Sequence, residues 1–155
     1  MPAARWRHEA VLEADPAAVY AWLKDFREDD HARPAFLRGA GIPPGEAPPS
    51  ARKVVPRDAR SVVVEDAWGR RSFRVVATFD DAARAIALEG AYGYRATWRV
   101  EEAPGGARVV VEGALAPRGF LGFLVPVVRR SLLREMARDF AGHVEDAREG
   151  LGVKR

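Results

Sequence analysis

Apolar and polar positions change rhythm twice along this chain. Residues 5–12, RWRHEAVL, alternate, which places Trp6, His8, Ala10 and Leu12 on one face of a strand. The next segment, DPAAVYAWLKDF, has a helical period. Asp15 suits an N-cap and Pro16 the first helical position, where a missing N–H costs nothing. Val19, Trp22, Leu23 and Phe26 then form one apolar stripe at i, i+3, i+4 and i+7. A second short helix is expected within 28–38. The Gly/Pro-rich segment GAGIPPGEAPPS that follows reads as a stiff loop over 39–50.

From residue 51 a period of two takes over. ARKVVPR, SVVVEDAW, SFRVVATF, RAIALEGA, YRATWRV and ARVVVEGALA are six β-rich runs separated by turn-prone pieces. Short connections predict a meander of antiparallel neighbours. Phe73, Val75, Ala77 and Phe79 share one face; Tyr94, Ala96, Trp98 and Val100 share another, with polar residues between them. That is the pattern of a sheet covered on one side. The cover is expected from residues 118–150. Counting 100° per residue from Val128, an apolar sector collects Leu132, Leu133, Met136, Phe140, Val144 and Ala147. Arg130, Arg134, Arg138, Glu145, Arg148 and Glu149 lie opposite. Pro126 fits only an irregular start or a first turn.

This order, strand, two helices, six strands and a long helix, resembles the START/Bet v 1-like (SRPBCC) superfamily. Within it the chain is most similar to the bacterial polyketide cyclase/dehydrase and lipid-transport group. The residues that carry the resemblance are ADPAAVYAWLKDF after the first strand, the six strands, and PRGFLGFLVPVVRRSLLREMARDFAGHVEDARE at the end. The resemblance implies an α+β helix-grip fold, a curved seven-stranded antiparallel sheet wrapped around the C-terminal helix. It also implies a cavity for an apolar ligand between sheet and helix. The length itself points to a single domain over 1–155.

Composition narrows the function classes. The 155 residues, 48% hydrophobic, suffice for one sizeable core. With no cysteine there is no disulfide, thiolate nucleophile or Cys-based zinc site. The net charge is +3, and basic residues alternate with acidic ones, which argues against a nucleic-acid footprint. No signal-peptide pattern and no run of about 18 apolar residues is present, so a soluble, cytoplasmic protein is expected. The histidines at 8, 31 and 143 lie in separate elements, so no metal site and no cofactor are expected. EDDH (28–31) and GAGIPPG (39–45) read as solvent-facing chemistry.

The candidate site is therefore a polar set in an apolar lining. Phe73, Val75, Tyr92, Tyr94, Trp98, Leu132, Met136 and Phe140 supply ligand-binding area, and Arg129 and His143 fall inside the helix's apolar sector as orienting groups. A buried Arg129 requires a counter-charge, for which Asp66 or a ligand carboxylate would serve; otherwise Arg129 snorkels to solvent at the helix start. His8, Asp66, Tyr94 and His143 are the weak candidates for acid–base work. The leading expectation is a binder or carrier of a lipid, isoprenoid or polyketide-like aromatic. A polyketide cyclase or aromatase using the same cavity is the alternative. A third reading makes Phe120, Leu121, Phe123 and Leu124 an exposed patch for a partner or a membrane surface. A homodimer stays open.

Overall fold

The computed structural model describes residues 3–28, 51–68 and 70–153. The expected second helix (28–38), the 39–50 loop and His31 lie outside them.

The N-terminal alternation forms β1 (Ala4–Leu12). Asp15 caps α1 (Pro16–Lys24) as expected, its carboxylate accepting the Ala18 N–H at 3.3 Å. The six β-rich runs become β2 (Ala51–Asp58), β3 (Ser61–Trp68), β4 (Arg71–Asp80), β5 (Ala85–Gly90), β6 (Tyr94–Ala103) and β7 (Gly106–Leu115). They form one antiparallel seven-stranded sheet in the order β1-β7-β6-β5-β4-β3-β2. The meander is thus closed by β1, which returns to lie beside β7, pairing Trp6 with Gly113 and His8 with Val111. This is the helix-grip arrangement.

The period of two sorts side chains as the sequence implies. Trp6, Phe73, Val75, Ala77, Ile86, Leu88, Tyr94, Ala96, Trp98, Val109 and Val111 are buried in one core. Charge pairs hold the opposite, wet face, where Arg7 meets Glu9 at 3.1 Å and Glu112 at 3.2 Å. Gly113 matters locally. A Cβ there would fall 2.3 Å from the Trp6 indole, so the missing side chain lets the ring lie flat across β7.

The chain then passes through a 3-10 turn (Gly119–Leu124) into α2 (Val125–Gly150). Regular helix begins at Val125 rather than 118, with Pro126 in the first turn, where its ring clashes with no preceding carbonyl. At about 1.5 Å per residue α2 is about 39 Å long. It approaches the sheet backbone most closely along β1, and α1 packs on its far end, where Trp22 lies against Gly150. No helix among the described residues is long and apolar enough to cross a membrane.

Candidate functional site

The inner face of the sheet presents a ring-lined interior to α2. Trp98 stands 5.7 Å from Phe140 and, edge to face, 5.3 Å from His143 (centroid distances). His8 stacks on Phe140 at 5.5 Å. Further along, Tyr94 lies 6.1 Å from Trp6 and meets Phe73 at a right angle, 6.2 Å away. Val75, Leu132 and Met136 are buried in the same core. The proposed lining residues therefore converge, with two exceptions.

Those exceptions are Tyr92 and Arg129. Tyr92 does not continue the β6 alternation, because the strand begins at Tyr94. It sits in the 3-10 turn Ala91–Gly93 with left-handed backbone (φ 59°) and its side chain half exposed. Arg129 is exposed too, although its angular position on the helix is inward. The reason is longitudinal: residues 126–131 are all exposed, so α2 has no covered face over this stretch. Val128, from which the apolar sector was counted, is exposed with it.

Asp66 consequently has a different partner from the one its position suggested. The Arg52 guanidinium binds it through two parallel bonds, Nε donating to Oδ1 at 2.7 Å and Nη2 to Oδ2 at 3.0 Å. Both side chains are almost completely buried, at 2% and 1% exposure. The pair lies in one cross-strand row with Phe73, through Arg52–Asp66 and Asp66–Phe73 register partners.

Helix α2 adds two acids that the sequence reading did not single out. Glu135, Asp139 and His143 are buried at successive i, i+4 positions, one polar line along the covered face. Their signal was present: on the same wheel Asp139 falls about 20° from Val128, between it and Leu132. Burial, and then the negative charge of Asp139, push the Tyr94 hydroxyl above its ordinary range, so it stays protonated and able to donate. Burial lowers the His8 pKa and favours its neutral form, and Nε2 is shielded from solvent without a hydrogen-bond partner among the described residues. The buried interior thus combines aromatic area with a phenol, imidazoles, carboxylates and a guanidinium. No group of His, Asp or Glu able to hold a metal occurs among the described residues.

A concavity lies outside this interior. An open groove of about 580 Å³ is lined by Tyr20, Lys24, Asp81, Arg84 and neighbours on α1. Three of its polar side chains engage one another, Tyr20 Oη donating to Asp81 at 2.7 Å and Lys24 Nζ donating to it at 2.8 Å. It reads as the joint that ties α1 to the β4–β5 turn.

A seven-stranded sheet holding a long helix, with a few polar groups set among rings, defines the helix-grip class of proteins. The chain belongs to the polyketide cyclase/dehydrase and lipid transport family, whose model matches residues 3–148. No curated protein shows significant sequence similarity. Among solved structures, the TTHA0849 protein from Thermus thermophilus is 18% identical with a TM-score of 0.59, covering 94% of this chain and 96% of that one. The Zhui aromatase/cyclase from Streptomyces sp. R1128 is 13% identical at TM-score 0.62, covering 94% and 92%. The di-domain aromatase/cyclase StfQ of the steffimycin pathway is 11% identical at TM-score 0.64, covering 94% of this chain and 49% of that one. At these identities the likeness establishes the shared fold.

Proposed function

We propose that the protein binds or carries a hydrophobic small molecule between the sheet and α2. The observation that carries this reading is the composition of the interior. Trp6, Phe73, Tyr94, Trp98 and Phe140 surround a small number of buried polar groups: the Arg52–Asp66 pair and the Glu135, Asp139 and His143 line. Pockets for small apolar ligands have this make-up, extensive apolar and aromatic walls with few polar groups that fix orientation. Membership of a family described by lipid transport and polyketide cyclisation supports the same reading. A guest with an aromatic or prenyl body and a carbonyl or hydroxyl end would match it, its oxygen meeting the Tyr94 donor.

Titration with a fluorescent fatty acid tests the proposal. Saturable binding at one site is expected. Met136→Trp, which would fill the proposed guest space, should weaken it at least tenfold while the protein stays folded. Absence of saturable binding, or equal affinity in the filled variant, would reject the reading.

The buried Tyr94 beside Asp139 favours a second reading, cyclisation of a polyketone chain, the class of reaction named for the Zhui and StfQ proteins. Asp139 would take a proton from an acidic methylene, the resulting enolate carbon would attack the carbon of a distant carbonyl, and Tyr94 would donate to that carbonyl's oxygen. The new carbon–carbon bond leaves an alcohol, and loss of water follows. Tyr94→Phe should then lower kcat on a polyketone substrate by two orders of magnitude or more with the fold intact. Unchanged turnover would remove Tyr94 from the mechanism.

A further inference from the structure

The start of α2 carries a surface that the interior does not explain. Of the fourteen residues 118–131, only Gly122 and Val125 are buried. Phe120, Phe123 and Val127 are 76%, 77% and 79% exposed, and Leu121, Leu124 and Val128 are also exposed. Two aromatic and four aliphatic side chains in a segment of nine residues make an apolar patch of roughly 600 Å², at or above the largest found on an ordinary monomer. These side chains project from a turn and the first turns of a helix.

Charge on the same segment identifies the occupant. Residues 113–134 contain no acid, in a chain with 22 Asp and Glu among 155 residues. They contain four arginines instead, Arg118, Arg129, Arg130 and Arg134, all exposed. The first acid after them, Glu135, is buried. Protruding phenylalanines among arginines, in a segment that holds no acid, offer both signals that interfacial attachment needs, apolar insertion and attraction to anionic headgroups. A second copy of the chain fits less well, because a two-fold contact would set the same arginines against each other with no acid to neutralise them.

We propose that the 3-10 turn and the first turns of α2 dock the protein on an anionic lipid surface. Phe120 and Phe123 enter the headgroup–acyl boundary, and Arg118, Arg129, Arg130 and Arg134 face the lipid charges. The proposal stands independently of the ligand reading, since it uses none of the interior residues.

Flotation with phosphatidylcholine vesicles, with and without about a third phosphatidylglycerol, tests it. The wild type is expected to float with the anionic vesicles, far less with the neutral ones, and to be released by high salt. Phe120→Ser with Phe123→Ser should reduce anionic-vesicle partitioning by roughly tenfold or more. Arg129→Gln with Arg130→Gln should reduce it by roughly fivefold per charge and erase the preference for phosphatidylglycerol. All four positions are exposed, so thermal midpoints should not change. Should the serine pair shift its midpoint, the arginine pair supplies the same comparison. Failure of the wild type to float, or equal flotation of wild type and both variants, would overturn the proposal. So would a wild-type dimer in solution that the serine pair converts to monomer, since the patch would then be occupied by its own copy.

Discussion

Replacing one partner of the Arg52–Asp66 pair should cost the protein a large share of its stability, and replacing both should not. The structure supplies the reason. Each side chain is almost wholly withdrawn from water and each satisfies the other through two bonds, at 2.7 and 3.0 Å. Arg52→Met leaves a buried carboxylate without its counter-charge, and Asp66→Leu leaves a buried guanidinium; either should lose about 3–5 kcal/mol. With a urea m-value of about 2 kcal/mol/M for a chain of this size, the unfolding midpoint falls by roughly 2 M. The double variant removes both desolvation penalties together with their attraction, so it should lie within about 1 kcal/mol of the wild type or exceed it. Urea unfolding of all four proteins, closed as a double-mutant cycle, reads the coupling directly. Single variants that each lose less than about 1 kcal/mol, or a double variant as unstable as the singles combined, would refute this reasoning.

Three further outcomes follow from the same packing. Gly113→Ala would drive a Cβ into the Trp6 indole, 2.3 Å away, and should destabilise the β1–β7 edge by about 1–3 kcal/mol in thermal or urea unfolding. Phe140→Ala removes the ring that touches both His8 and Trp98, and a loss of about 3–5 kcal/mol is expected from the same measurement. Because burial lowers the His8 pKa, the folded protein holds this imidazole neutral more firmly than the unfolded chain does. Its stabilising effect is complete above the unfolded value of about 6.5 and is lost as pH falls through the lower folded value. The urea midpoint of wild type minus that of His8→Leu should therefore decline on acidification from neutrality. A constant difference would show that His8 does not titrate with folding.

The order of strands and helices could be read from period alone, because burial on one side imposes it, while the wrapping of the sheet around α2 was given by the resemblance. The β4 and β6 alternations, the Asp15 cap and the α2 stripe each have a single partner surface, so local pattern and tertiary position agree. The site was less legible, for three physical reasons. A wheel records direction but not reach: Arg129 and Val128 point toward the sheet side on a stretch of α2 that is exposed all round. Alternation also ends where a strand ends, which is why Tyr92, two residues before Tyr94, does not share its face. The Arg52–Asp66 pair was hidden by a register shift. Asp58 pairs with Ser61, yet Pro56 pairs with Val62, so a β-bulge between them moves the rest of β2 by one residue. Counting back from the turn sets Arg52 opposite Ala67 instead of Asp66. Glu135 and Asp139 were readable from the angular count along α2, but an acid in an apolar sector looks out of place until a neighbour such as Tyr94, on which Asp139 acts, is known.

Native mass spectrometry of the protein purified without detergent tests the central claim most directly. A carrier of an apolar guest should show, beside the bare chain, a species heavier by on the order of a few hundred daltons that disappears on denaturation and can be recovered by organic extraction. Met136→Trp should abolish that species, while Phe123→Ser, outside the interior, should keep it. A wild-type spectrum with only the bare chain, from material that also fails to take up a fluorescent fatty acid, would contradict the account.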